Sequence, residues 1–195
     1  MRKVAVAVAL LVAAGLLVVA AAAFADHGHG GRGEHGGNGG MTFSAKLTGF
    51  DETPSESTPG RGTFRARIVN GDTIHYTLHY QGFEAAEGVT LFSHIHFGQP
   101  GVAGGVAAFL CGGGTKPACT PTEGTFEGDI VASDVVGPTG QGIDPGQMDE
   151  LLTAMRKGYT YANVHTTLNP AGLIRGQIHK GSGHGHGEGE GGGHH

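Results

Sequence analysis

"GTFRARIVNGDTIHYTLHY", residues 62–80, is two alternating runs joined by Asn70-Gly71. In the second run Ile74, Tyr76, Leu78 and Tyr80 fall on one side, and His75, Thr77 and His79 on the other. A period of two marks a half-buried strand. Asn-Gly suits the tight turn of a hairpin, because both residues tolerate positive φ. The stretch therefore predicts a β-hairpin with one apolar and one polar face. His75 and His79 share the polar face, but at ~13 Å of separation along a strand they cannot both bind one ion. They read as exposed strand residues.

The same grammar continues on both sides. "MTFSAKLTGF", residues 41–50, sets Phe43, Ala45 and Leu47 against polar neighbours, and "DETPSESTPGRG" after it is a turn-rich loop. Further strands are expected in "VTLFSHIHF", "VAAFLC", "EGTFEGDIV", "YTYANVHTTL" and "GLIRGQIHK". One short helix interrupts them. Asp144 can cap it, Pro145 fits its first turn, Met148, Leu151, Leu152 and Met155 form its apolar stripe, and Gly158 ends it. Seven or eight short strands with frequent turn signals and one helix predict an all-β, antiparallel β-sandwich.

The ends of the chain read differently. Arg2 and Lys3 precede an apolar run from Val4 to Ala25 that closes on Ala23-Phe24-Ala25. Charged start, apolar run and small-x-small end make residues 1–25 a secretory signal peptide. The run is long enough to span a bilayer, so an uncleaved anchor is the competing reading. The polar sequence that follows at once favours cleavage. No later stretch could span a membrane. A cleaved chain is therefore expected free of the membrane, in an extracellular or periplasmic space.

Cleavage removes two cations and no acids, so 12 Lys+Arg become 10 against 17 Asp+Glu, a net −7 with neutral histidine. An acidic chain without tryptophan or a basic patch is a poor candidate for nucleic acid. Cys111 and Cys119, in "CGGGTKPAC", are the two cysteines. In an oxidising compartment a close pair forms a disulfide, and two thiolates lack the four-ligand spacing of structural zinc. Residues 26–40 and 181–195 are Gly-rich and His-rich, contain almost nothing apolar, and are expected to be disordered. They carry His27, His29, His35, His184, His186, His194 and His195. Such tracts read as loose metal binders, or as solvated tails whose histidines do little. The folded body is residues 41–180.

Within that body, "SHIHFG", residues 93–98, places His94 and His96 on one face of a strand. On the penultimate strand Tyr161, Asn163, His165 and Thr167 share a face. If the two strands are neighbours, three imidazoles converge. Three histidines with an open fourth position suit zinc or copper. Tyr161, Asn163 and Thr167 could then supply hydrogen bonds that fix ring orientation. The competing reading is that His94 and His165 bond loop groups and hold a corner of the sandwich.

Three segments, "FSAKLTGFDETP", "HIHFGQPGVAGGVAAFLC" and "GYTYANVHTTLNPAGLIRGQI", together resemble the CHRD domain, the module first described in chordin and common in exported microbial proteins. The resemblance covers nearly all of residues 41–180. It implies a β-sandwich of immunoglobulin-like or Cu,Zn-superoxide-dismutase-like character, and no defined activity. One departure stands out: the family's final signature has an acid, G-E-I-R-G, where this chain has Leu173. A carboxylate that could pair with Arg175 is missing at that position. The chain is also distantly similar to Cu,Zn superoxide dismutase in its H-x-H strand and in "NPAGLIRG". By that analogy His94 and His96 would be copper ligands, and Arg175 would steer an anion. The dismutase's bridging histidine and Asp-containing zinc loop have no equivalent between His96 and His165.

A metal-binding protein, holding copper or zinc at His94, His96 and His165, ranks first. A metal-free structural or adhesive extracellular module comes second, and a dismutase-like copper enzyme third. Other chemistries find no support. There is no Ser-His-Asp arrangement or G-x-S-x-G elbow, and "GVAGG" lacks the ending of a phosphate loop.

Overall fold

The computed structural model describes residues 40–181. The expected signal peptide and, apart from Gly40 and Gly181, the His-rich segments with their seven histidines lie outside the described residues. The body forms nine strands: β1 (Thr42–Thr48), β2 (Arg61–Val69), β3 (Thr73–Gln81), β4 (Thr90–Phe97), β5 (Gly105–Cys111), β6 (Gly124–Ile130), β7 (Thr160–Thr166), β8 (Ile174–Gln177) and β9 (His179–Lys180). The helix α1 spans Met148–Arg156.

The opening hairpin is β2–β3. Asn70 and Gly71 take φ of 52° and 86°, the conformation their residue types favour. Pairing then runs β5-β4-β7-β8-β1-β2-β3-β6, antiparallel throughout, with β9 beside β1. Two four-stranded leaves are thus joined where β8 meets β1, through the pair Thr48↔Arg175. The leaves fold over each other, so the ends of the order come close together. Ala108 on the end strand β5 bridges Val135, beyond β6. The Tyr76 hydroxyl donates to the Leu110 carbonyl at 2.7 Å, and the disulfide Cys111–Cys119 ties β5 to the loop before β6. The antiparallel all-β expectation holds, as a sheet nearly closed on itself.

Alternation decides what lies between the leaves. Phe43, Ala45 and Leu47 point inward from β1, Phe64 and Ala66 from β2, and Ile74, Tyr76 and Leu78 from β3. Ile95, Leu110, Val164 and Ile174 meet them from the other leaf. Each large side chain buried this way contributes about 1.5–3 kcal/mol.

The helix begins later than its sequence suggests. Gly146 sits at φ 88°, which a right-handed helix cannot contain, so Asp144 lies in the preceding turn rather than at the cap. Gln147 occupies the cap position, and its side chain accepts from the Asp144 amide at 2.7 Å. The far end is as read. Gly158 takes φ 76°, its amide donates to Met155 and the Tyr159 amide to Ala154, which closes the last turn.

Candidate metal centre

β4 and β7 are neighbours, with Phe92 opposite His165, His94 opposite Asn163 and His96 opposite Tyr161. On the far side of β7, Arg175 faces Asn163 and Gln177 faces Tyr161. The core residues Ile95, Ala162, Val164 and Ile174 alternate with these, so the three histidines stand on the outward face of their leaf. They are nonetheless buried, at 7 %, 6 % and 7 % exposure for His94, His96 and His165. Loops roof them over. Arg175 donates to the Gln99 carbonyl at 3.1 Å and to the Thr53 hydroxyl at 3.4 Å, and Gln177 to the Gly98 carbonyl at 3.0 Å.

The hydrogen bonds fix the tautomers of two rings. His96 Nδ1 is 3.0 Å from the Gly104 carbonyl and His165 Nδ1 is 3.1 Å from the Pro170 carbonyl. A carbonyl only accepts, so each Nδ1 carries the proton, and in the neutral ring Nε2 is left as a bare lone pair. The two Nε2 atoms face each other at 3.3 Å. His94 completes the group, with one nitrogen from each ring within 4.8 Å of the others. Its Nδ1 is buried without a hydrogen-bond partner.

Two lone pairs at that distance repel unless a cation lies between them. A proton does not fill the role at neutral pH. Burial pushes His94 down to about 3, helped by His165 and His96, and pushes His96 down to about 4 against the bond to Gly104. His165 is lowered by burial as well, against its bond to Pro170. Zinc–imidazole bonds of 2.0–2.1 Å in a tetrahedron set ligand nitrogens about 3.3 Å apart, the spacing of the His96–His165 pair. The donor set fits zinc or copper.

The surroundings hold the rings in place. Tyr161 stacks on His96 with centroids 4.8 Å apart, and its hydroxyl accepts from the Gly104 amide at 2.9 Å. It thereby steadies the carbonyl that orients His96. The Arg175 guanidinium carbon lies 3.4 Å from the same Tyr161 ring centroid. Phe109 packs edge-on to His94 at 4.6 Å, and Phe92 stacks on it at 5.8 Å. Thr167 stands apart: β7 ends at Thr166, and the exposed Thr167 hydroxyl accepts from the Val89 amide at 3.1 Å. Leu173 is 2 % exposed and belongs to the hydrophobic core, where a carboxylate would be costly.

The carboxylate absent there arrives from elsewhere. Glu52, in the loop after β1, is 7 % exposed and accepts from Asn163 Nδ2 at 3.5 Å. Burial pushes it up to about 7, against the charge of Arg175. Glu52 Oε1 and Asn163 Oδ1 are both buried without partners. Both flank Gly172, where a Cβ would come within 2.5 Å of the first and 2.6 Å of the second. A proton on Glu52, donated to Asn163 Oδ1, would satisfy both atoms. An acid in a turn-rich loop reads as solvated, so sequence reasoning passed over Glu52. The signal that could have found it is the unpaired Arg175, which needs a counter-charge from somewhere.

The chain matches no curated protein and no solved structure. The family model of the CHRD domain matches residues 43–178, a span that takes in the opening hairpin, both histidine strands and the strand of Arg175, and by that match the chain belongs to the CHRD domain family.

Proposed function

We propose that this CHRD domain, an extracellular-type module closed by a disulfide, is exported and binds one zinc or copper ion through His94, His96 and His165. The observation that carries the reading is the pair of Nε2 atoms at 3.3 Å, both stripped of protons by carbonyls bound to Nδ1. Tyr161 positions the His96 ring rather than binding the ion, while Asn163 bonds Glu52 beside the site. Arg175, 2 % exposed and engaged with Tyr161, Gln99 and Thr53, ties the roofing loops together. That arrangement supports a holding role more than the steering of an anion from solvent, so the binding reading stands ahead of the dismutase one. The His-rich segments 26–40 and 181–195 would act as weak collectors of the same ions.

Among the described residues the buried core side chains run from Phe43 to Ile178, so a fragment of residues 40–181 retains that core without the tail histidines. Zinc and copper titration of that fragment is the test. One ion bound per chain, tighter than micromolar, is the expected result. No binding above micromolar affinity would return the histidines to a structural role. Superoxide dismutation by the copper-loaded fragment would move the enzyme reading to first place.

A further inference from the structure

The leaf that lacks the histidine centre carries a second feature. Its outward positions on β1, β2 and β3 hold Lys46, Arg61, Arg65 and Arg67, four of the nine Lys and Arg among the described residues. All four are exposed, and among the described residues none makes an ion pair within 4.0 Å. No acid occupies an outward position on these three strands. Across the register Arg67 lies between Thr42 and His75, and Arg65 between Ser44 and Thr77. Thr63 lies between Lys46 and His79. The nearest acids beyond β3, Glu127 and Asp129, both contact His75, at 3.0 and 2.7 Å.

The surface is also shaped. One depression lies between Ser44, Arg65, Arg67 and Thr77. A second shares Ser44 and Arg65 with it and adds Lys46 and Thr63. A third shares Lys46 and Thr63 with the second and reaches Arg61. They form one track along β1 and β2, about 20 Å from Arg61 to Arg67 at the rise of a strand. Cations and hydroxyls line the track, with one acid, Asp51, which lines the second depression and accepts from the Thr48 hydroxyl at 2.8 Å.

We propose that this track binds a linear acidic polysaccharide, one carrying carboxylate or sulfate groups. Unpaired guanidinium groups at strand spacing meet successive anionic groups of an extended polymer, and Thr42, Ser44, Thr48 and Thr63 meet its hydroxyls. Charge complementarity selects a polyanion, because these cations stand free on a chain whose overall charge is negative. A lipid surface fits less well: none of the exposed large hydrophobics, Phe50, Leu91, Phe92 and Leu168 among them, stands on an outward position of these strands. A single-stranded nucleic acid would want stacking aromatics, and the outward positions carry none.

The test uses the full exported chain with EDTA at pH 8, where histidine of ordinary pKa is neutral and metal is absent. Its probes are polygalacturonate, dextran sulfate, neutral dextran, an oligonucleotide and phosphatidylglycerol vesicles, at low salt. Binding to both acidic glycans and not to neutral dextran is expected, weakening steeply as salt rises. Arg65→Gln with Arg67→Gln should lower glycan affinity at least tenfold with an unchanged near-UV CD spectrum. Lys157→Gln, just past the end of α1, should lower it less than twofold. Failure of the wild type to hold either acidic glycan would overturn the proposal, as would a loss in Lys157→Gln equal to that of the Arg65/Arg67 variant. Tighter binding to the vesicles or the oligonucleotide, lost in the Arg65/Arg67 variant, would assign the track to a lipid surface or a nucleic acid instead.

Discussion

His75 and His79 on β3, and His94, His96 and His165 on β4 and β7, occupy outward positions of one curled sheet. The first pair is half-buried and finds its partners among exposed side chains: Glu127 and Asp129 for His75, Thr125 for His79. The second group is roofed by loops, with His96 and His165 bonded to backbone carbonyls. Residue type and alternation are the same in both regions. What differs is the cover. Where loops close over the sheet, water is excluded, charging an imidazole becomes costly, and lone pairs stay bare. On the open leaf, cations and hydroxyls stay available to large partners.

The widest gap between the two environments should appear in the pH dependence of metal binding. Three histidines of ordinary pKa, near 6.5, lose on the order of a thousandfold in affinity between pH 7.5 and 5.5, because each must shed a proton to bind. His94 and His96, held at about 3 and 4, are already neutral at pH 5.5. The fragment of residues 40–181 should therefore lose less than about tenfold over that interval. Zinc titration at the two pH values decides it, and a thousandfold loss would mean that the roof does not exclude water.

Next in size is the choice of histidine. His165→Ala removes one of three donors and should weaken binding on the order of a hundredfold or more, whereas His75→Ala should leave it within about twofold. Equal losses would place the ion on the wrong leaf.

Glu52 and the histidines should pull the stability of the metal-free protein in opposite directions. The lowered histidines remain neutral in the fold while the unfolded chain takes up protons, so their contribution is lost as pH falls from about 6.5 toward 4. Glu52 is raised from 4.5 to about 7. Its contribution is complete below pH 4.5 and is lost as pH rises through 7, on the order of 3 kcal/mol. Relative to wild type, Glu52→Gln should therefore gain on the order of 2–3 kcal/mol between pH 5 and pH 8, read from urea unfolding of both proteins at the two values. A variant whose pH dependence matches that of the wild type would show that the proton sits elsewhere.

The smallest effect is expected at Tyr161. Tyr161→Phe keeps the ring stacked on His96 but removes the hydroxyl from Gly104, and should weaken metal binding about tenfold. Loss of zinc affinity without loss of thermal stability would identify Tyr161 as a positioning residue rather than a packing one.

The strands and their faces were written in the sequence, because alternation with a period of two is a local property and each strand carries its own record of it. The hairpin at Asn70-Gly71, the inward row Phe43, Ala45 and Leu47, and the shared face of His94 and His96 all read directly. The disulfide followed from two cysteines eight positions apart in a glycine-rich loop, and the pair is joined, with Cα atoms 5.1 Å apart. The helix start was less legible, since Asp144 and Pro145 look like a cap until Gly146 adopts left-handed φ.

Adjacency of β4 and β7 lies beyond any local pattern, because it depends on which of many strands pair across some seventy residues of chain. So does the burial of Glu52, an acid that is solvated in isolation and enclosed only once β7, β8 and Gly172 surround it. Thr167 shows the converse: alternation puts it on the site face, and the end of the strand takes it away. The sequence by itself determined the all-β class, the strand faces, the family and the three candidate histidines. Only the tertiary structure decided that those histidines meet, which nitrogens stay bare, and that water is kept from them, because convergence and desolvation belong to packed neighbours and not to residues one at a time.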